Sequence, residues 1–194
     1  MIQRLCIFCG SSSGNSPAYQ EAAEALAVTL AESGIGLIYG GAKVGLMGSM
    51  ADACLERGVA VIGVIPGALF PREIPHQGLT QLYVVDSMHE RKQRMYELSD
   101  AFVALPGGIG TLEELFEILT WGQLGLHAKP CGLLNVEGYF DKMLEFLDNA
   151  VEREFLKPKH RALLLDDANP AALVEKMKNY QPPEGTKWIR RGET

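Results

Sequence analysis

The stretch Ala101-Phe102-Val103-Ala104-Leu105-Pro106-Gly107-Gly108-Ile109-Gly110-Thr111 decides how the chain folds. A short, continuous apolar run stops at a proline and two glycines, and a helical pattern follows over Leu112–Trp121. A run of this kind reads as a strand buried on both faces, leading through a tight turn into a helix. The same unit recurs along the chain. Further runs lie at Arg4–Cys9, Gly36–Tyr39, Val59–Ile65, Leu82–Val85, Pro130–Leu134 and Leu163–Leu165. Helical stretches lie between them near Ala18–Ser33, Leu46–Arg57, Glu90–Ser99, Tyr139–Arg153 and Pro170–Lys178. The first has Pro17 at its start, where the missing N–H does no harm, and Gly34 just past its end. Such alternation predicts an α/β fold: a doubly wound parallel sheet of about seven strands with helices on both faces. One domain is expected over residues 1–180, with residues 181–194 as an extended or flexible tail marked by Pro182, Pro183 and Gly185.

The bulk numbers agree with this. A length of 194 residues suits one domain with a sizeable core. With 47% apolar and 22% charged residues, the chain falls among globular rather than disordered proteins. A formal charge of −6 opposes binding to a nucleic-acid polymer, which needs a basic face. A small phosphate is still admissible, because a few backbone N–H groups can hold one. Met1 leads straight into the first strand without a signal peptide, and no apolar run is long enough to span a bilayer. The expectation is a cytoplasmic protein with no membrane partner. Cys6 and Cys9 are spaced like a CxxC pair, but within a strand that spacing sends them to opposite faces. Buried free thiols are therefore expected at Cys6, Cys9, Cys54 and Cys131, as suits a reducing compartment. His76, His89, His127 and His160 show no metal-ligand spacing, and no metal site is expected.

Turn residues gather at one end of every strand. Gly10-Ser11-Ser12-Ser13-Gly14 follows the first, and Gly40 to Gly48 the second. Pro66 to Glu73 follows the third, Asp86 to Lys92 the fourth and Pro106 to Thr111 the fifth. In a doubly wound sheet these turns share the carboxyl edge, where ligands bind. An order 3-2-1-4-5 would put the switch point between the turns after the first and fourth strands.

Gly107, Gly108 and Gly110 would allow positive φ and close approach of a ligand to the backbone. The following helix would offer its N-terminal N–H groups to a phosphate, with the Thr111 hydroxyl as a further donor. The segment is no dinucleotide fingerprint, because Glu113 stands where the third glycine belongs. Gly40 to Gly48 does not match GxxxxGK[ST] either. Glu114 has two readings: a capping-box partner of Thr111, or a carboxylate beside a bound ribose. Ser87 and Glu90 form a second such box, and there capping is the preferred reading. Arg91 and Lys92 then sit near the start of a helix, where cations oppose the dipole unless an anion is close. Met47, Met88 and Met95 read as packing residues.

The segment Pro106–Glu114 resembles the PGGxGTxxE motif of the Lonely guy (LOG) family, cytokinin riboside 5′-monophosphate phosphoribohydrolases long labelled lysine decarboxylases. The resemblance runs nearly to Lys178. It takes in Cys9-Gly10-Ser11-Ser12, Tyr39-Gly40-Gly41, Gly45-Leu46-Met47-Gly48, Ile62 to Pro66 and Met88-His89-Glu90-Arg91-Lys92. Leu119-Thr120-Trp121 and Gly132-Leu133-Leu134-Asn135 also match. Ala42 departs from the family, many of whose members carry a third glycine there. The resemblance implies a Rossmann-like homodimer that releases adenine, or an N6-substituted adenine, from a nucleoside 5′-monophosphate without a cofactor. It puts the catalytic arginine on Arg91 and the catalytic glutamate on Glu114. It puts substrate contacts on Ser11, Ser12, Glu73, Met88, Lys92, Gly107, Gly108, Gly110, Thr111 and Thr120.

Two rivals remain at this point. A non-catalytic nucleotide carrier could use the same fold, because fold does not fix chemistry. Amino-acid decarboxylation would need pyridoxal phosphate on a lysine, for which Lys43 and Lys92 are the nearby candidates.

Overall fold

The computed structural model describes residues 1–70 and 74–183. Seven strands form one sheet: β1 (Arg4–Phe8), β2 (Gly36–Tyr39), β3 (Val61–Pro66), β4 (Gln81–Val85), β5 (Ala101–Ala104), β6 (Cys131–Leu134) and β7 (Leu164–Asp167). The helices are α1 (Pro17–Ser33), α2 (Gly45–Glu56), α3 (Met88–Leu98), α4 (Ile109–Leu124), α5 (Asp141–Glu152), α6 (Pro158–Arg161) and α7 (Pro170–Lys178). All pairings are parallel, in the order β4-β3-β2-β1-β5-β6-β7. The expected doubly wound sheet is present, but its switch point lies elsewhere. The chain steps outward through β2, β3 and β4 before α3 carries it back past β1 to β5. The flanking turns therefore follow the first and fifth strands, not the first and fourth. Run order in the sequence holds no information on which strand the returning crossover will join.

Handedness explains the layers. Right-handed crossovers place helices on one face while the chain moves one way, and on the other face after it reverses. Thus α1 and α2 pack with Leu5, Ile7 and Cys9 of the β1 edge, and α7 joins them. On the opposite face α3, α4 and α5 pack with Cys6 and Phe8. Alternation of side chains along β1 separates Cys6 from Cys9 as expected. All four cysteines are buried and free, and burial holds the Cys54 and Cys131 thiols at about 12. Helix α1 shows why the local code was readable. Ala23, Leu26, Ala27 and Leu30 recur at helical spacing and are buried, Ser16 caps the start, and Gly34 closes the end at φ 64°. Among the described residues no helix is long and apolar enough to cross a membrane.

Candidate active site

The turns after β1 and β5 lie against each other at the carboxyl edge. The Gly10 N–H donates to the Pro106 carbonyl at 3.1 Å. A Cβ on Gly107 would come within 2.8 Å of the Gly10 nitrogen and would strike the Thr111 hydroxyl. Glycine is needed at 107 for this packing rather than for unusual torsions. Gly107, Gly108 and Gly110 all lack positive φ, which corrects the expectation, and Gly108 sits at φ −88°. Gly108 and Gly110 are different in kind, because a Cβ at either would meet no described atom within 4 Å. Both face open space, and no packing reason demands glycine there.

Helix α4 begins at Ile109 with Gly108 as N-cap, three residues earlier than its apolar pattern suggests. That earlier start removes the Thr111–Glu114 capping box, since Glu114 now lies well inside the helix. No described side chain caps α4, and its first turn carries no acidic residue. The helix therefore presents exposed N–H groups and the positive end of its dipole to the crevice. Thr111 is 4% exposed and its hydroxyl packs on Gly107, so it braces the turn from within.

Helix α3 starts the opposite way. The Glu90 N–H donates to the Ser87 hydroxyl at 3.1 Å, and the Glu90 carboxylate accepts from the Asp86 N–H at 2.9 Å. The cap expected at Ser87–Glu90 is present, reaching one residue further back than a standard box. Arg91 follows, turned inward and only 6% exposed. One of its Nη groups donates to the Gly40 carbonyl at 3.1 Å and the other rests on the Met88 sulfur at 3.9 Å. Its Nε is buried without a hydrogen-bond partner among the described residues. A Cβ on Gly40 would collide with the guanidinium, so Gly40 is what admits Arg91. A desolvated guanidinium with one donor unused is primed for an anion.

Helix α3 lies across β1 to β4 and α4 across β1, β5 and β6, so both cover β1. Glu114 is half-buried on α4. The Cys6 thiol registers both residues: burial raises its pKa first, the Glu114 carboxylate raises it further, and Arg91 pulls the other way. Arg91 and Glu114 thus sit on two helices that both cover β1, each near enough to Cys6 to act on its thiol. Lys92 instead spans the two helices, 2.6 Å from Glu113 and 2.9 Å from Glu117. Burial opposes its charge, but these hydrogen bonds and the carboxylate charges raise its pKa.

Ser11 and Ser12 are exposed on the loop after β1, which Gly45 approaches so closely that a Cβ would meet the Ser12 nitrogen. Met88 is exposed beside Arg91. Thr120 does not join the cluster within the chain. It lies roughly 13 Å along α4 from Thr111 at 1.5 Å per residue, and its hydroxyl donates to the Phe116 carbonyl at 2.7 Å. Glu73 falls outside the described residues. The segment just after it is stitched to the Gly41–Lys43 turn: Lys43 donates to Ile74 and His76 to Gly41, at 2.8 and 3.0 Å. Sequence reasoning missed two supports here. His76 ties this segment to α2 through Asp52 at 2.8 Å, and the Tyr139 hydroxyl donates to the Gly107 carbonyl at 2.7 Å. Tyr139 was findable, because Gly138-Tyr139-Phe140 follows a strand and so falls at the same edge.

The parallel, doubly wound sheet defines a Rossmann-like α/β protein, with the open start of α4 and the buried Arg91 of α3 on one face of it. The molybdenum cofactor binding protein of Rippkaea orientalis shares the fold: TM-score 0.69, 20% identity, 92% of this chain and 97% of that one covered. So does the molybdenum cofactor carrier protein of Chlamydomonas reinhardtii, at TM-score 0.68, 21% identity and coverage of 93% and 100%. Sequence likeness is far closer elsewhere. Arabidopsis thaliana cytokinin riboside 5′-monophosphate phosphoribohydrolase LOG7 is 49% identical over 181 residues, 93% of this chain and 83% of that protein. A family profile described as "Possible lysine decarboxylase" matches residues 47–177. The chain belongs to the LOG family of phosphoribohydrolases.

The decarboxylase description does not fit the residues present. Pyridoxal phosphate needs a lysine that can shed its proton. Lys92 is held as an ammonium by two carboxylates, and Lys43 is exposed on its loop. Among the described residues no group of three or more His, Cys, Asp or Glu side chains could hold a metal ion.

Proposed function

We propose that the protein hydrolyses the N-glycosidic bond of adenosine-type nucleoside 5′-monophosphates, AMP and N6-substituted AMP such as cytokinin riboside monophosphates. The products are the free base and ribose 5-phosphate. The observation that carries this reading is the uncapped, glycine-led start of α4, on the same face of the sheet as the buried Arg91 of α3 and with Glu114 on the same helix. The 5′-phosphate docks on the N–H groups at Gly108–Thr111, which fixes the ribose near Glu114. As the C1′–N bond lengthens, positive charge grows on the ribose, and the Glu114 carboxylate stabilises it. The same carboxylate takes a proton from the water that bonds to C1′, while the bond's electron pair leaves with the base, which gains a proton from solvent as Glu114 returns its own. Arg91 offers its guanidinium to the phosphate or ribose oxygens. Ser11, Ser12 and Met88 line the rim. Lys92 contributes by locking α3 to α4. Glu73 and Thr120 remain candidate contacts outside the described cluster.

A homodimer completes the reading. Ile109 and Phe116 are exposed on α4, whereas Leu115 and Ile118 are used in the protein's own core. The decisive experiment is chromatographic: incubate the protein with AMP and with isopentenyl-AMP and look for free base and ribose 5-phosphate. Release from either supports the hydrolase, and the faster one names the working substrate. Stoichiometric nucleotide binding with no release would favour a carrier.

A further inference from the structure

The turn at Gly107 has a clamp that the reaction above leaves unexplained. Tyr139 follows β6, and its hydroxyl donates to the Gly107 carbonyl at 2.7 Å. Its ring is gripped from two sides, edge-on to Tyr19 with centroids 5.9 Å apart and edge-on to Phe140 at 4.9 Å. Tyr19 in turn fills the space beside Gly14, where a Cβ would come within 2.6 Å of its ring. Tyr139 therefore joins the turns that follow β1, β5 and β6.

The hydrogen bond acts on one peptide unit. The carbonyl of Gly107 and the N–H of Gly108 belong to the same planar, trans amide, so they point in opposite directions. With glycine on both sides, that amide is free to rotate as a unit at little steric cost. A rotated amide would turn a carbonyl oxygen toward the crevice and repel an anion there. Holding the oxygen on Tyr139 sends the Gly108 N–H the other way, and Gly108 itself is exposed at the open start of α4. The neighbouring carbonyl, Pro106, is tied back by the Gly10 N–H.

We propose that Tyr139 is a positioning residue for phosphate recognition, fixing the Gly107–Gly108 amide with its N–H toward the 5′-phosphate. This rests on the phosphate-docking reading of α4 given above. Tyr139→Phe tests it, because it keeps the ring and its contacts and removes the hydroxyl alone. KM for AMP is expected to rise roughly fivefold, the worth of one ordinary hydrogen bond. The kcat should stay within about twofold, since the clamp acts on binding rather than on the reacting bond. Inhibition by adenosine, which lacks the phosphate, should not change. An unchanged KM, a loss confined to kcat, or equal weakening of AMP and adenosine would overturn the assignment. If the unmodified protein releases no base, the hydrolase reading fails by itself. The clamp is then judged by calorimetric binding of AMP in the two proteins, where an unchanged affinity overturns it and a selective loss supports it.

Discussion

Helices α3 and α4 start at the same edge of the sheet and on the same face, yet in opposite ways. The start of α3 is closed by its own side chains, with Ser87 and Glu90 taking up N–H groups on each side of the first turn. The start of α4 is open, with glycine as its cap and glycine again in its first turn. A closed start makes a firm mount for a side chain, and α3 uses it to hold Arg91 buried on the Gly40 carbonyl. An open start makes the backbone itself the binding group, and α4 leaves that backbone uncovered. Under the proposed function the pair divides the labour at the carboxyl edge, so stability and ligand binding should be separately perturbed on the two helices.

Removing the side chain that the closed helix carries should have the largest effect. Arg91→Ala is expected to lower kcat/KM for AMP by about a hundredfold or more, as for loss of a charge-stabilising donor. Arg91→Lys should recover little of it, because an ammonium lacks the planar fork. Steady-state kinetics on both variants checks this. Closing the open helix should come next. Gly108→Asp has room for its side chain at an ordinary φ, and it supplies the missing cap. The variant should melt higher, by about 0.5–1 kcal/mol of added stability, while its negative charge weakens AMP binding about tenfold. Higher stability with undiminished binding would break the distinction between the two helices. The smallest effect is expected from opening the closed helix. Ser87→Ala should cost about 1 kcal/mol in denaturant unfolding and lower activity only through a less firmly held Arg91.

Legibility followed the range of the forces involved. The strands showed in the sequence because both faces are covered, so runs such as Ala101–Leu105 are apolar without interruption. The cap of α3 was visible because Ser87 and Glu90 are three residues apart. The start of α4 was not, since Thr111 and Glu114 have the same spacing and suggest a cap that Gly108 pre-empts. Arg91 and Glu114 stood out by motif, but the inward turn of Arg91 depends on Gly40, 51 residues away. The strand order was hidden for the same reason. Whether β4 or β5 adjoins β1 is settled by where α3 returns. Tyr139 carried a signal of position, following β6 and so falling at the carboxyl edge, but its partner Gly107 shows only when β6 is placed beside β5.

The central claim is that Glu114 is a catalytic carboxylate, and Glu114→Gln tests it most directly. The substitution keeps the side chain's size and shape while removing its charge and one of its two acceptor oxygens. Base release from AMP should fall by about a hundredfold or more, with AMP binding still measurable by calorimetry. Base release at the unmodified rate, with binding intact, would contradict the account.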